Sequence, residues 1–187
     1  SAMRTFIAID LSEEARKTLS ELQCELKESE ADVKWVKAEN MHLTLKFLGE
    51  ISEEQAAKVK AALDIIASTV KPYEITIKEI GAFPGLDHPR VVWTGIEKGK
   101  KETTDLANKI ELELEKLGFE KEGRAFKAHL TIGRVRGPKN KDKLKTAVQS
   151  AGRIKETPSK IKTINLYQST LTPRGPIYTC LHKSPLE

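Results

Sequence analysis

The sequence predicts an α+β fold of two pseudo-twofold-related lobes, each an antiparallel sheet with helices on its outer face, enclosing a cleft between them. Three observations carry that reading. Segments with strand and helix periodicity alternate along the chain. The second half repeats the element order of the first, with His42-Leu43-Thr44 returning 87 residues later as His129-Leu130-Thr131. Two copies are too few for a solenoid, so two half-sized units sharing one interface are the economical arrangement. The expected domain covers residues 3–187, with repeats at about 12–97 and 101–183 and a polar, Gly-containing linker near 97–101. Ser1 and Ala2, ahead of Met3, read as an expression-tag scar.

The elements follow in order. RTFIAID is a strand. The helix after it has Ser12 as N-cap, Glu13 and Glu14 at the positive end of the dipole, and an apolar stripe at Ala15, Leu19, Leu22 and Leu26. VKWV and HLTLKFLG are two further strands, the second leaving through Gly49 and Glu50. Ser52 and Gln55 have the spacing of a capping box ahead of a helix with Ala56, Val59, Leu63, Ile66 and Val70 inward, ended by Pro72. YEITIKEIGAF and RVVWTGI are adjacent strands around the turn-rich PGLDHP.

In the second half, a helix at about 102–117 buries Leu106, Ile110, Leu114 and Leu117 and stops at Gly118, where a left-handed cap is cheapest. AHLTIGRV is the next strand. A shorter helix from about 140 carries Leu144, Ala147, Val148 and Ala151 and stops at Gly152. KIKTINLYQSTL and IYTCLHK then pair around TPRG. EITIKEI aligns with KTINLYQ, and VVWTGI with IYTCLH, within a residue of the 87-residue offset.

With 39% hydrophobic and 32% charged residues in 187, the chain is long enough for one real core or two small lobes sharing an interface. No window reaches the roughly 18 consecutive apolar residues of a membrane helix. A cytoplasmic monomer with no membrane partner is the expectation. Cys24 and Cys180 are too few and too far apart for a disulfide scaffold, a zinc knuckle or a CxxC pair. The net charge of +5 hides an asymmetry. Residues 1–100 hold 14 basic against 17 acidic side chains, and residues 101–187 hold 18 against 10. Most of the excess lies in 121–162, with 13 basic and 3 acidic. That stretch fits either a solvated face of a Lys- and Glu-rich, hyperthermophile-like protein or a phosphate-binding surface.

The two His-Leu-Thr tripeptides are the most informative feature. With 4 His, 19 Leu and 15 Thr in the chain, chance would supply about 0.03 copies. On a strand, His42 and Thr44 share one face and Leu43 and Leu45 the other; His129, Thr131, Leu130 and Ile132 divide likewise. The leucines face the core, so the polar pairs converge between twofold-related lobes. An imidazole titrates at about 6.5 and serves as base or acid at neutral pH. One imidazole can take a proton from the oxygen attacking a phosphodiester while the other supplies one to the leaving oxygen. Threonine hydroxyls can donate to the non-bridging oxygens. A lone His at such a place would be read as a hydrogen-bonded strand-end residue; two matched copies favour catalysis.

HLTLKFLG after WVKAEN, then AHLTIGR, then LYQSTLTPRGPIY, resemble the two-histidine phosphoesterase superfamily and, within it, the LigT-like RNA 2′,3′-cyclic phosphodiesterases, formerly 2′-5′ RNA ligases. The resemblance spans the chain from Met3. It implies a bilobal α+β fold, metal-independent opening of RNA 2′,3′-cyclic phosphates to 2′-phosphomonoesters, and no cofactor. It also implies His42 and His129 as the acid/base pair, His42 protonating the leaving ribose oxygen and His129 activating water, with Thr44 and Thr131 as phosphate-oxygen donors. Phe47 and Arg134, each five residues after its histidine, fall at the family's base-stacking aromatic and phosphate-binding arginine. Strict alternation would put both on the core face, so either a bulge or strong twist re-aims them, or Phe47 is merely core. Ala128 stands where the family often has Pro.

His88, in a turn, and His182, near the C-terminus, lack a matched Thr and read as structural or exposed. Trp35 and Tyr178 could line the cleft, yet aromatics on strands are more often core. Metal binding is not expected, since the histidines lie in separate lobes without a nearby ligand cluster. No GxxxxGK[ST] loop is present to drive ligation with ATP. The rival readings are 2′-5′ ligation or 2′-5′ phosphodiesterase activity at the same site, action on small cyclic nucleotides, and an RNA-binding module with idle histidines.

Overall fold

The computed structural model describes residues 2–151 and 154–187. The chain runs β1 (Met3–Asp10), α1 (Glu13–Lys27), β2 (Val33–Trp35), a one-turn 3₁₀ helix (Ala38–Asn40), β3 (His42–Ile51), α2 (Glu53–Ser68), β4 (Tyr73–Phe83), β5 (Val91–Ile96) and α3 (Lys100–Glu115). It continues as β6 (His129–Val135), α4 (Lys141–Ser150), β7 (Pro158–Ile161), β8 (Thr163–Thr172) and β9 (Gly175–Pro185).

α1 and α2 start where their caps dictate. Ser12 Oγ accepts from Ala15 N at 3.1 Å. The Ser52–Gln55 capping box is closed in both directions, at 3.1 and 2.9 Å. α3 begins two residues earlier than its periodicity suggests, behind Gly99 in the left-handed region. Gly118, φ +95°, follows its C-terminus. The expected stop of the last helix at Gly152 lies outside the described residues.

Two antiparallel sheets result, ordered β3-β1-β8-β9 and β2-β6-β5-β4-β7. Each mixes strands from both halves of the sequence. The β8–β9 hairpin of the second half completes the sheet holding the first His-Leu-Thr strand, and the β4–β5 hairpin of the first half completes the other. Neither half of the chain contains a whole sheet, so the repeats are interleaved rather than set side by side. KIKTINLYQSTL is accordingly not one strand: it breaks at Lys162, where the chain passes from the β4 edge to β1. The Lys162 carbonyl accepts from Leu186 N at 2.8 Å instead of joining a ladder.

One apolar cluster joins the inward faces, with Ile7, Leu43 and Leu166 from the first sheet, Ile77, Val92 and Leu130 from the second, and Leu19, Leu63, Ile110 and Leu144 from the helices. α2 lies on β8 and β9 and beside α3, which reaches β3; α1 lies against β7 and α4. A separate small cluster of Phe6, Ala8 and Tyr167, with Tyr178 against it, occupies the opposite face of the first sheet. That face carries His42.

Candidate active site

Both His-Leu-Thr strands carry the alternation their sequence requires: Leu43, Leu45, Leu130 and Ile132 are buried, and His42, Thr44, His129 and Thr131 are half-buried on the other face. Both then break it at the same place. In β3, Ala8 pairs with Thr44 and Ile7 with Lys46, skipping Leu45. Leu45 and Lys46 both turn inward, and Phe47 emerges on the histidine face, 65% exposed. In β6, Trp93 pairs with Thr131 and Val92 with Gly133, skipping Ile132. Ile132 and Gly133 are buried, and Arg134 emerges exposed. A matched pair of bulges therefore resolves the parity conflict at Phe47 and Arg134, and Phe47 is not a core residue.

The inward Lys46 is matched by chemistry of its own. Its Nζ pairs with Glu111 of α3 and donates to the Glu120 carbonyl at 2.9 Å. The bulge is thereby anchored to the neighbouring helix.

His42 sits in an aromatic box. Its ring centroid is 4.5 Å from Tyr167, 5.7 Å from Tyr178 and 6.5 Å from Phe6, and only 6% of its side chain is exposed. Directly across the ladder stands Asp10, whose Oδ1 is 3.5 Å from His42 Nε2 and accepts the Tyr167 hydroxyl at 2.5 Å. Burial holds the His42 pKa below 6.5; the Asp10 carboxylate opposes this, Arg16 adds to it, and the Asn40 backbone opposes it. Burial likewise raises the Tyr167 phenol, and the bond to Asp10 pushes the same way.

His129 is more open. Its ring lies flat on the indole of Trp93, with centroids 3.8 Å apart and planes within 5°. Its pKa is also held below 6.5, by burial first and then by Lys127, with Glu79 opposing and Lys100 adding to the depression.

The two sheets meet where β3 touches β6. Burial raises the Tyr178 phenol while Arg134 and Arg4 pull it down, which puts the guanidinium of the second motif in the field of a side chain that borders His42. Asn40 Nδ2, two residues before His42, donates to the Pro176 carbonyl at 3.1 Å and fixes the β8–β9 hairpin beside the motif. The structure thus groups His42, Thr44 and Phe47 on one face and His129, Thr131 and Arg134 on another. His88 and His182 lie elsewhere: His88 Nδ1 is 3.3 Å from Lys141 Nζ, and His182 Nε2 is 2.8 Å from Asp64 on α2. Trp35 packs over Gly133.

Sequence reasoning missed three neighbours, Asp10, Tyr167 and Trp93. The alternation of Phe6, Ala8 and Asp10 was a signal for a polar residue on an otherwise apolar face. Its meaning depended on β1 pairing with β3, which no local pattern announces. Among the described residues, no group of three or more His, Cys, Asp or Glu side chains could hold a metal ion. No helix among them is long and apolar enough to cross a membrane.

Comparison with known proteins gives a consistent picture. The sequence profile of the LigT-like phosphoesterases matches residues 9–93 and again 95–178. The chain is 38% identical over 177 residues to the RNA 2′,3′-cyclic phosphodiesterase of Methanothermobacter thermautotrophicus, covering 95% of each. It is 40% identical over 179 residues to the protein of that name from Archaeoglobus fulgidus, covering 94% of this chain and 96% of that one. Among solved structures, TT0787 of Thermus thermophilus superposes with a TM-score of 0.81 at 29% identity, over 98% of both chains. Escherichia coli LigT complexed with 3′-AMP superposes at 0.80 and 26% identity, over 100% of this chain and 99% of that one.

Proposed function

The chain belongs to the LigT-like phosphoesterase family, and on that premise we propose that it hydrolyses RNA 2′,3′-cyclic phosphates to 2′-phosphomonoesters by two-histidine acid/base catalysis. The observation that carries the reading is the matched bulge. It puts a histidine, a threonine and one further recognition group on the same face of both motif strands, which a merely structural pair of strands would not need.

In the proposed reaction, His129 takes a proton from water as its oxygen bonds to phosphorus. His42, protonated and beside the Asp10 carboxylate, gives a proton to the ribose 3′-oxygen as the P–O3′ bond breaks. The 2′-phosphate remains on the ribose, and solvent resets both rings. Thr44 and Thr131 donate to the non-bridging oxygens, where charge gathers in the transition state, and Arg134 adds a fixed positive charge. Phe47, exposed and 6.2 Å from Phe6, offers a flat surface to the terminal base.

The unequal surroundings of the two rings support the division of labour. A carboxylate next to His42 favours the imidazolium that an acid must start from. Among the described residues, no anion is paired so closely with His129, whose neutral form a base needs. The substrates are read as RNA ends or small cyclic nucleotides, and the protein as a cytoplasmic monomer needing no metal or other cofactor.

The test is incubation of the purified protein, in chelator, with RNA bearing a 2′,3′-cyclic phosphate and with a nucleoside 2′,3′-cyclic phosphate. A 2′-phosphomonoester as the sole product supports the reading. A 3′-phosphate, a chelator-abolished rate, or joining to a 5′-hydroxyl RNA in place of hydrolysis would refute it.

A further inference from the structure

The pseudo-twofold relation between the motifs fails at two positions, and both failures bear on His129. Opposite His42 the neighbouring strand places Asp10; opposite His129 it places Gly95. Opposite Thr44 it places Ala8; opposite Thr131 it places Trp93. A small residue and a carboxylate in one lobe are thus exchanged for an indole and a gap in the other.

The gap is built to fit the indole. A Cβ on Gly81, the cross-strand partner of Trp93 on β4, would stand 2.5 Å from Cζ2 and 2.9 Å from Cη2 of Trp93. A Cβ on Gly95 would be 3.5 Å from Cζ3 and 3.3 Å from the Glu79 Cβ. Two glycines on the strands around Trp93 let the ring lie flat along the sheet, which is the pose that gives His129 a parallel face at 3.8 Å.

We infer that Trp93 is the positioning residue of His129: its indole fixes the plane of the imidazole so that the ring nitrogens point along the sheet surface into the cleft, and its π face stabilises the protonated ring formed during turnover. The inference rests on the functional reading above for its kinetic consequence but not for the stack itself. An imidazole on a strand has two free side-chain torsions, and one flat neighbour in contact over the whole ring removes the rotation that would swing the nitrogens out of line. A cation over an indole is attracted by the ring quadrupole. His129 becomes that cation when it takes the proton from water. The charged groups that reach His129 are Lys127 before the strand, Glu79 on β4 and Lys100 on α3, two cations against one anion. The indole is therefore a stabiliser of the imidazolium that adds no further permanent charge to the cleft.

The chain has 2 Trp, so Trp35→Phe leaves Trp93 as the sole indole. In that protein the indole emission, excited where tyrosine absorbs little, is expected to rise through one midpoint with pH. A protonated imidazole in contact quenches an indole more than a neutral one. His129→Gln should abolish the step. Emission independent of pH, or a step that survives His129→Gln, overturns the inference.

In the otherwise unaltered enzyme, Trp93→Leu keeps the site apolar but removes the π face. It should lower kcat about tenfold, with KM changed less than about twofold. It should also move the acid limb of the kcat/KM profile down by about half a pH unit, since an imidazolium without its indole loses its proton more readily. Trp93→Phe, which keeps a ring, should retain most of the rate. A Trp93→Leu enzyme with normal kcat and an unmoved limb overturns the proposal. If Trp93→Leu does not fold, the emission titration decides alone. If the wild type hydrolyses no cyclic phosphate, the functional reading fails while the titration still decides the stack.

Discussion

Tyr167 donates its phenolic hydrogen to Asp10 at 2.5 Å, and the same carboxylate oxygen stands 3.5 Å from His42 Nε2. A side chain from the far end of the sequence thereby steadies a carboxylate that borders the first motif histidine. Tyr167 belongs to β8 and Asp10 to β1, adjacent strands only because the second half's hairpin completes the first half's sheet.

Asp10→Asn removes the charge that most opposes burial at His42, so the His42 pKa falls. Two unit charges 3.5 Å apart interact by about 1 kcal/mol even in a water-like medium, corresponding to about one pKa unit. With His42 as the acid, the alkaline limb of the kcat/KM profile moves to lower pH while the acid limb stays. Tyr167→Phe, which frees the carboxylate without removing it, should lower kcat by about tenfold to 100-fold, the worth of a hydrogen bond to a charged group. A full pH–rate series on both variants checks this.

The free enzyme's optimum should lie on the acid side of 6.5. Burial lowers both His42 and His129 from that value. When one group must be charged and the other neutral, the kcat/KM bell is centred midway between their pKa values whichever plays which role. Both lie below 6.5, and so must the centre. Depression of a histidine pKa also costs stability in acid, because the unfolded chain then binds the proton more readily; that cost sets in as pH falls below 6.5. Wild type should therefore lose stability between neutral and mildly acidic pH more steeply than His42→Gln, as denaturant titrations would show.

Lys46 is a stability residue with no part in the chemistry. Lys46→Ala strands Glu111, whose side chain is only 17% exposed, and should cost about 3 kcal/mol of unfolding free energy. Lys46→Met with Glu111→Leu should recover most of it, since a buried pair replaced by apolar groups of similar volume is near neutral. Denaturant midpoints of the single and double variants measure both effects.

Phe47→Ala should leave stability unchanged, because the ring is 65% exposed. It should raise KM about tenfold for nucleoside cyclic phosphates, the loss of one base-stacking contact. Arg134→Met should depress binding of inorganic phosphate, which Phe47→Ala should not. Phosphate inhibition constants separate the two roles.

Much of this was legible in the sequence. The caps at Ser12 and Ser52, the apolar stripes and the alternation around His42 and His129 are local signals, and local structure obeys them. The duplication foretold two sheets. It could not foretell that the halves exchange hairpins, because which strand lies beside which is decided by burial across the whole chain. The same limit hid Asp10, Tyr167 and Trp93, each meaningful only through a cross-strand neighbour. The bulges at Leu45–Lys46 and Ile132–Gly133 lie between these cases. Alternation by itself puts Lys46 and Gly133 on the histidine face and Phe47 and Arg134 in the core, so the cost of burying an unpaired Arg134 was the only local sign of a break.

The central claim is that His42 and His129 divide one proton transfer between them, and the pH–rate profiles of His42→Gln and His129→Gln on an RNA 2′,3′-cyclic phosphate test it most directly. Each variant should lose about 100-fold or more in kcat/KM, and the residual profiles should differ in kind: His129→Gln loses the acid limb and His42→Gln the alkaline limb. A wild-type rate in either variant, or the same limb missing from both, would contradict it.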